Sequence, residues 1–471
     1  MRQILRRRPL LVPTGGLLFL AALAGLLTVA FSGPTADPVR VGLAMRVGAD
    51  STLVDSLATL DPDRLDPVSA AALRTSRLGT EAAVWLDGER IVLHPEVAPF
   101  YRARDLIRVW TDRTSRDTVL HTIRRSDLDG LDPESYRLGA LTAAVRALDA
   151  RDPREDRPEA DTLAADLDLA LTDALFRLAD DLAGARTDPE ALYGAMWMDA
   201  RTPRAIPNEL TEALSDSDRL GAWLDSLAPP HAGYRHLRDA LARQIAGTGP
   251  DSVSADLLRL NMERWRWLPR DLGERHVVVN VPSYHLWIRE DGRDVFDMKV
   301  VVGKPGRWQT PVFTDTMETI VFSPPWILPA SIQREQYGRV IPGRTQPPGP
   351  GNAMGRAKFM FPNDHFVYIH DTNAKRGFRR TYRALSHGCV RAADPRDFAT
   401  ALLTRTNGWD AEEVDSRFSG PWRTETVEVE GVLPVHLLYF TAWPDADGTV
   451  HLPADVYRRD AILADALGLT L

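Results

Sequence analysis

Along residues 163–182, Leu163, Leu167, Leu171, Leu175, Leu178 and Leu182 recur at three- and four-residue steps. That spacing lines them up on one face of an α-helix. Asp188-Pro189 is a helix start, an acidic cap followed by proline at the first helical position, and the helix it opens carries Leu192, Met196 and Trp197. Helical patterning begins near His94 and is interrupted by a charged, proline-punctuated connector, Arg154 to Glu159. Residues 93–257 are therefore expected to form an all-helical domain whose leucine stripe is core. From Arg275 the period changes to two. His276 to Val281 reads as a strand. Tyr284 to Glu290 and Asp294 to Val302 flank Asp291-Gly292, a hairpin-turn dipeptide. Thr319 to Phe322 is a further strand. Val435 to Ala442 and Thr449 to Leu452 flank Asp447-Gly448, which predicts a second hairpin. Asp394 to Leu403 reads as a helix. The expected class is α+β: an N-terminal membrane or signal segment, a helical domain, then a mainly β domain over residues 258–471 with a few helices and a capping loop.

The first 36 residues are of a different kind. Arg2, Arg6, Arg7 and Arg8 precede an apolar run from Gly15 to Phe31 broken only by Thr28. Basic residues before an apolar stretch form an export signal. With no clear small-residue cleavage site, it is read as a signal anchor with its basic end inside; a cleaved signal peptide is the alternative. Residues 37–92, rich in Pro, Asp, Ser and Ala, read as a tether. Both readings put the remainder outside the cytoplasmic membrane; the anchor reading also makes that membrane a partner through the N-terminus, and the cleaved reading makes the chain secreted. A composition of 44% hydrophobic and 26% charged residues suits a globular chain of two or three domains. The net charge of −8 argues against nucleic acid as partner. Oligomeric state has no signature in the sequence.

The chain holds a single cysteine, Cys389, in Ser386-His387-Gly388-Cys389-Val390-Arg391. A thiol attacks as the thiolate, which a nearby base or cation makes available. The plain alternative is a small buried apolar residue. Upstream stands Tyr368-Ile369-His370-Asp371-Thr372, with His370 nineteen residues before Cys389. Phe366 to Ile369 reads as a strand, placing Tyr368 and His370 on one face and His365 on the other, which weighs against a two-histidine metal site. No His-Glu-x-x-His, paired cysteine or glycine-rich phosphate loop is present, so no metal or organic cofactor is implied. His231 and His236 are read as surface or capping residues.

A histidine, a fifteen-residue gap and then Ser-His-Gly-Cys followed by an apolar residue and arginine resembles the L,D-transpeptidase family of peptidoglycan cross-linking enzymes. The resemblance extends to the segment Leu260 to Pro269, to Val278 to Pro282, Pro324-Pro325-Trp326, Pro348 to Asn352 and Tyr368 to Thr372. It departs in two places. Between the helical region and residue 258 lies no room for a peptidoglycan-binding module, and the proline-rich insertion at 326–351, expected to cap the site, is shorter than in large relatives.

The resemblance implies a mechanism. Cys389 is the nucleophile toward a stem tetrapeptide, and His370 is the base. Gly388 and Cys389 supply oxyanion N–H groups, with Ser386 and His387 supporting. Asp371, or a backbone carbonyl beside it, fixes the tautomer of His370. Arg391 either binds a substrate carboxylate or holds the cysteine loop by a salt bridge. Tyr368 lines the pocket or simply packs, and Trp326 belongs to a cap or an ordered loop. The partners implied are peptidoglycan stem peptides, and carbapenems are implied as acylating inhibitors.

Overall fold

The computed structural model describes residues 83–471, apart from residues 87, 152–157, 198, 199, 202, 216 and 251. The expected signal segment and most of the tether lie outside the described residues. The end of that tether is structured: β1 (Ala83–Leu86) and β2 (Glu89–Val92) pair antiparallel. Val84, Leu86 and Ile91 are buried, and Arg177 donates to the Val92 carbonyl at 2.9 Å.

Three helices, α1 (Val97–Arg102), α2 (Arg113–Arg125) and α3 (Leu138–Asp149), precede the long α4 (Pro158–Gly184). The leucine stripe of α4 is buried from Leu167 to Leu182, as its period predicts, with Leu163 half-buried, yet Asp166, Asp168, Thr172 and Asp173 are buried as well. The helix is enclosed on more than one face. Buried carboxylates are tolerated only when paired or hydrogen-bonded. Asp168 accepts from the Trp110 N–H at 2.7 Å and the Tyr101 hydroxyl at 2.5 Å, and Asp173 pairs with Arg177 at 3.0 Å and Arg137 at 3.2 Å. Asp188 caps α5 (Pro189–Tyr193) through the Glu190 N–H at 2.9 Å. That helix stops before Met196 and Trp197 because Gly194 turns to φ +58°, and Trp197 instead bridges to Val312.

After α6 (Ile206–Ala213), α7 (Ser217–Asp225) and α8 (Ala232–Ile245), α9 (Ala255–Arg266) joins the helical region to the sheet. Its buried Glu263 accepts from the Arg186 and Thr187 N–H groups at 2.7 and 2.8 Å and pairs with buried Arg266 at 2.9 Å. Arg264 pairs with Asp460 at 2.7 Å and lies over the Tyr439 ring. Removing one partner of such a buried pair costs about 3–5 kcal/mol, so the charged residues of this segment are structural. His231 departs from the surface or capping role: it precedes α8 without capping it, its ring lies 5.3 Å from Trp265, and burial pushes its pKa down to about 4.

Most of the C-terminal strands form one eleven-stranded sheet. In chain order the strands are β3 (Arg275–Asn280), β4 (His285–Glu290), β5 (Arg293–Gly303), β6 (Phe313–Thr316), β7 (Thr319–Phe322), β8 (Trp326–Ile327), β9 (Thr345–Gln346), β10 (Ala357–Met360), β11 (Ile369–His370), β12 (Ala384–Ser386), β13 (Val390–Ala392), β14 (Glu425–Glu428), β15 (Pro434–Leu438), β16 (Trp443–Pro444) and β17 (Val450–His451). The spatial order is β14-β7-β10-β11-β13-β5-β4-β3-β15-β6, with β12 on β5; β8 pairs with β9, and β16 with β17, outside it. The β4–β5 hairpin turns at Asp291 and Gly292 with φ of 50° and 74°, the two positive angles a type I′ turn requires. The second predicted hairpin is smaller than its pattern. β15 lies parallel to β3, and only Trp443-Pro444 pairs with Val450-His451 across Asp447-Gly448. The alternation of Val435 to Leu438 serves a central strand there, not a hairpin arm. Between β8 and β9 sits α10 (Ala330–Tyr337). After β13 come α11 (Pro395–Thr406), which starts one residue after Asp394, and α12 (Ala411–Ser419); α13 (Asp460–Leu467) closes the chain. Among the described residues no helix is long and apolar enough to cross a membrane.

Candidate active site

Three neighbouring strands build the site. β11 runs parallel to β13 with His370 opposite Arg391, and antiparallel to β10 with His370 opposite Lys358. Residues opposite one another share a face of the sheet. Cys389 immediately precedes β13. A cavity of about 690 Å³ lies over this face, and Cys389, His370, Tyr368, Lys358, Arg391, Ser386, His387 and Trp326 all line it. The sequence-predicted residues are therefore gathered, except that Gly388 and Asp371 lie behind the lining.

The strand expected at Phe366 to Ile369 is reduced to Ile369-His370. Phe366 turns to φ +54° and stands exposed. Alternation consequently fails before Val367, and His365, expected on the far face, joins the cavity wall. Tyr368 and His370 do share a side, with ring centroids 5.6 Å apart. Among the described residues no cluster of metal-ligating side chains occurs.

His370 is 3% exposed. Its Nδ1 lies 2.5 Å from the Asp371 carbonyl oxygen. A carbonyl only accepts, so Nδ1 carries the hydrogen and Nε2 the lone pair. The orienting group is thus the Asp371 backbone. The Asp371 carboxylate is engaged elsewhere, with the Arg356 and Thr372 N–H groups and with Lys375 at 2.7 Å. A side chain at Gly355, where φ is +60°, would strike that carboxylate, so glycine is required there. Burial, and after it the Arg391 cation, pushes the His370 pKa down to about 3.

Cys389 is half-buried. Its thiol faces the Phe366 carbonyl at 3.9 Å and meets the Tyr368 hydroxyl. No hydrogen bond joins it to His370. Burial pushes the thiol pKa up; the Tyr368 N–H, Lys358 and Arg391 pull the other way. The site therefore rests as neutral thiol and neutral imidazole.

The loop that presents Cys389 is tied from behind. Ser386 Oγ donates to the Cys389 carbonyl at 2.6 Å and accepts from the Gly388 N–H at 3.2 Å. Gly388 sits at φ +115°, which demands glycine. Its N–H is directed to Ser386, and the Cys389 N–H is the other member of the expected oxyanion pair. Thr310 donates to the Gly388 carbonyl at 2.7 Å. His387 faces away from the nucleophile: its Nε2 lies 3.3 Å from Glu335 of α10, and its ring 4.7 Å from Trp308. Arg391 forms no ion pair among the described residues, and its Nε is buried without a partner; the salt-bridge reading of this residue has no acid to supply it.

Over the cavity stands the segment 326–351. Trp326, Leu328, Ile332 and Met354 form a small apolar cluster with Tyr368 and Trp308 against it. Asn352 ties its base by donating to the Pro324 and Pro347 carbonyls, both at 3.0 Å. Sequence reasoning missed Lys358, Trp308, Thr310 and Glu335. Lys358 left no signal, because a lysine alternating with the buried Ala357 and Phe359 reads as the polar face of an ordinary strand.

Residues 274–415 match the family described as the L,D-transpeptidase catalytic domain, and residues 95–241 match the family described as the Scaffold domain. The chain carries an L,D-transpeptidase catalytic domain preceded by a scaffold domain. It is similar to a Haemophilus influenzae protein named "Putative L,D-transpeptidase", at 25% identity over 407 residues and 79% of each chain. Among solved structures it is similar to an L,D-transpeptidase from Mycobacterium smegmatis, at 16% identity and TM-score 0.21 over 35% of this chain and 58% of that one. An L,D-transpeptidase from Mycobacterium tuberculosis H37Rv gives 14% identity and TM-score 0.20, over 35% of this chain and 57% of that one. The chain spans between half and three fifths of the length of these solved structures.

Proposed function

We propose that this protein is a peptidoglycan L,D-transpeptidase that forms 3→3 cross-links through a thioester on Cys389. The observation that carries the reading is that Cys389, one residue before β13, and His370, on the adjacent parallel β11, line one cavity within the matched catalytic domain. Cys389 Sγ attacks the carbonyl carbon of the third, diamino-acid residue of a donor tetrapeptide stem. His370 Nε2 takes the thiol proton. The bond to the terminal D-alanine breaks, and His370 returns that proton to the departing amine. The side-chain amine of a second stem then attacks the thioester; the new amide forms, the C–S bond breaks, and the proton passes through His370 back to sulfur. The Cys389 N–H and the Tyr368 hydroxyl are the donors beside the carbonyl oxygen, where preorganised donors stabilise the developing charge. No cofactor enters. The substrate lies outside the cytoplasm, and the N-terminal basic and apolar segment supports export and anchoring in the cytoplasmic membrane.

Incubation of the protein beyond the anchor with disaccharide-tetrapeptide, read by mass, tests this. The expected products are free D-alanine and a dimer lighter than two substrates by one D-alanine. A tripeptide with no dimer would make the protein an L,D-carboxypeptidase, in which water resolves the same thioester. Unchanged substrate would leave a wall-binding scaffold.

A further inference from the structure

Lys358, His370 and Arg391 stand in one row across β10, β11 and β13. All three line the cavity, with Cys389 just ahead of Arg391. Lys358 is half-buried. Among the described residues its Nζ forms no hydrogen bond and no ion pair, and its close neighbour is the face of the Tyr368 ring, 3.8 Å from the centroid. The other lysines near the site are paired, Lys375 with Asp371 at 2.7 Å and Lys304 with Glu335 at 3.9 Å. Burial also weighs against the charge of Lys358 and lowers its pKa. A cation kept half-buried, over an aromatic face, with no carboxylate beside it and only the Cys389 thiol answering its charge, is set up to receive a substrate anion.

The order of the row says which anion. The nucleophile belongs to β13, so the acyl carbon sits there. The proton donor to the leaving amine belongs to β11, so the departing nitrogen sits there. The next strand, about 4.7–4.9 Å further on, is β10. In a departing amino acid the carboxylate lies one carbon beyond the nitrogen, on the side away from the acyl carbon. We propose that Lys358 is a specificity-determining residue that binds the free carboxylate of the amino acid leaving the donor stem. Arg391, on the strand of the nucleophile, faces the acyl half of the donor. The assignment rests on the transpeptidase reading above and deepens it: the site selects stems that end in a carboxylate one residue past the scissile bond, and disfavours stems extended or amidated there.

The test compares disaccharide-tetrapeptide carrying a free C-terminal carboxylate with the same compound carrying a C-terminal primary amide. Release of D-alanine or D-alaninamide is followed for the wild type, Lys358→Met, Lys358→Arg and Arg391→Met. The wild type should favour the carboxylate by about 10- to 100-fold in kcat/KM, the worth of a charge-assisted hydrogen bond. Lys358→Met should lose that preference: loss of its pull on the Cys389 thiol slows both substrates alike, and the carboxylate substrate slows further, so the ratio of the two rates is the readout. Lys358→Arg, which keeps the charge, should retain most of it and so separates charge from packing. Equal rates on both substrates in the wild type, an unchanged ratio in Lys358→Met, or collapse of the ratio in Arg391→Met alone would overturn the assignment. Release of neither leaving group by the wild type would overturn the transpeptidase reading and this assignment with it, whereas release without discrimination overturns this assignment alone.

Discussion

Cys389→Ala should abolish release of D-alanine from a tetrapeptide stem and leave the fold intact. The substitution removes one atom, Sγ, whose neighbours are a carbonyl at 3.9 Å and the Tyr368 hydroxyl. The loop itself is held by backbone groups that alanine keeps, namely the Cys389 carbonyl on Ser386 Oγ and the Gly388 carbonyl on Thr310. The melting temperature should therefore stay close to that of the wild type. Without sulfur no covalent intermediate can form, and positioning alone has no group to attack with. D-alanine release above the no-enzyme rate, from a sample whose mass verifies the substitution, would remove Cys389 from the mechanism.

His370→Ala should lower the rate by about 10²-fold or more, the usual contribution of a positioned acid–base group. His387→Ser should keep a measurable fraction of activity. The two histidines differ in what they touch. His370 is fixed by the Asp371 carbonyl with Nε2 free toward the cavity, whereas His387 is committed to Glu335 and Trp308 of the rim. The pH profile carries a second signature. Burial holds His370 neutral down to about pH 3, so its lone pair is unprotonated across the physiological range, while the same burial makes it a weak acceptor of the thiol proton. The thiol is pushed up by burial, so the fraction able to react grows as pH rises. The rate of the wild type should climb through neutrality into the alkaline range, with no acid limb near the ordinary imidazole pKa of about 6.5. A side-by-side rate assay that ranks His387→Ser below His370→Ala would mean that the base has been misassigned.

What the chain discloses by itself is what local rules govern. The motif around Cys389, the hairpin at Asp291-Gly292 and the helix after Asp394 each rest on a few adjacent residues, and each is where the pattern puts it. Readings failed where a distant partner decides the outcome. α4 looks one-faced because its buried acids, Asp168 and Asp173, find their donors at Trp110, Tyr101 and Arg137, far away in sequence. Phe366 breaks a run of β-forming residues because the chain must turn into the cavity, and His365 changes sides with it. The choice between the Asp371 carboxylate and its backbone depended on Lys375 and on two N–H groups claiming the side chain first. Lys358 carries no motif at all; its meaning lies in the strand register that sets it beside His370.

The central claim is that Cys389 carries the acyl group. Intact-mass measurement of the wild type during turnover of disaccharide-tetrapeptide, with rapid acid quench and peptide mapping, tests it most directly. The predicted result is a mass increase equal to the substrate less D-alanine, on the peptide containing Cys389, absent from Cys389→Ala. Turnover without any covalent adduct, or an adduct mapped to a different residue, would contradict it.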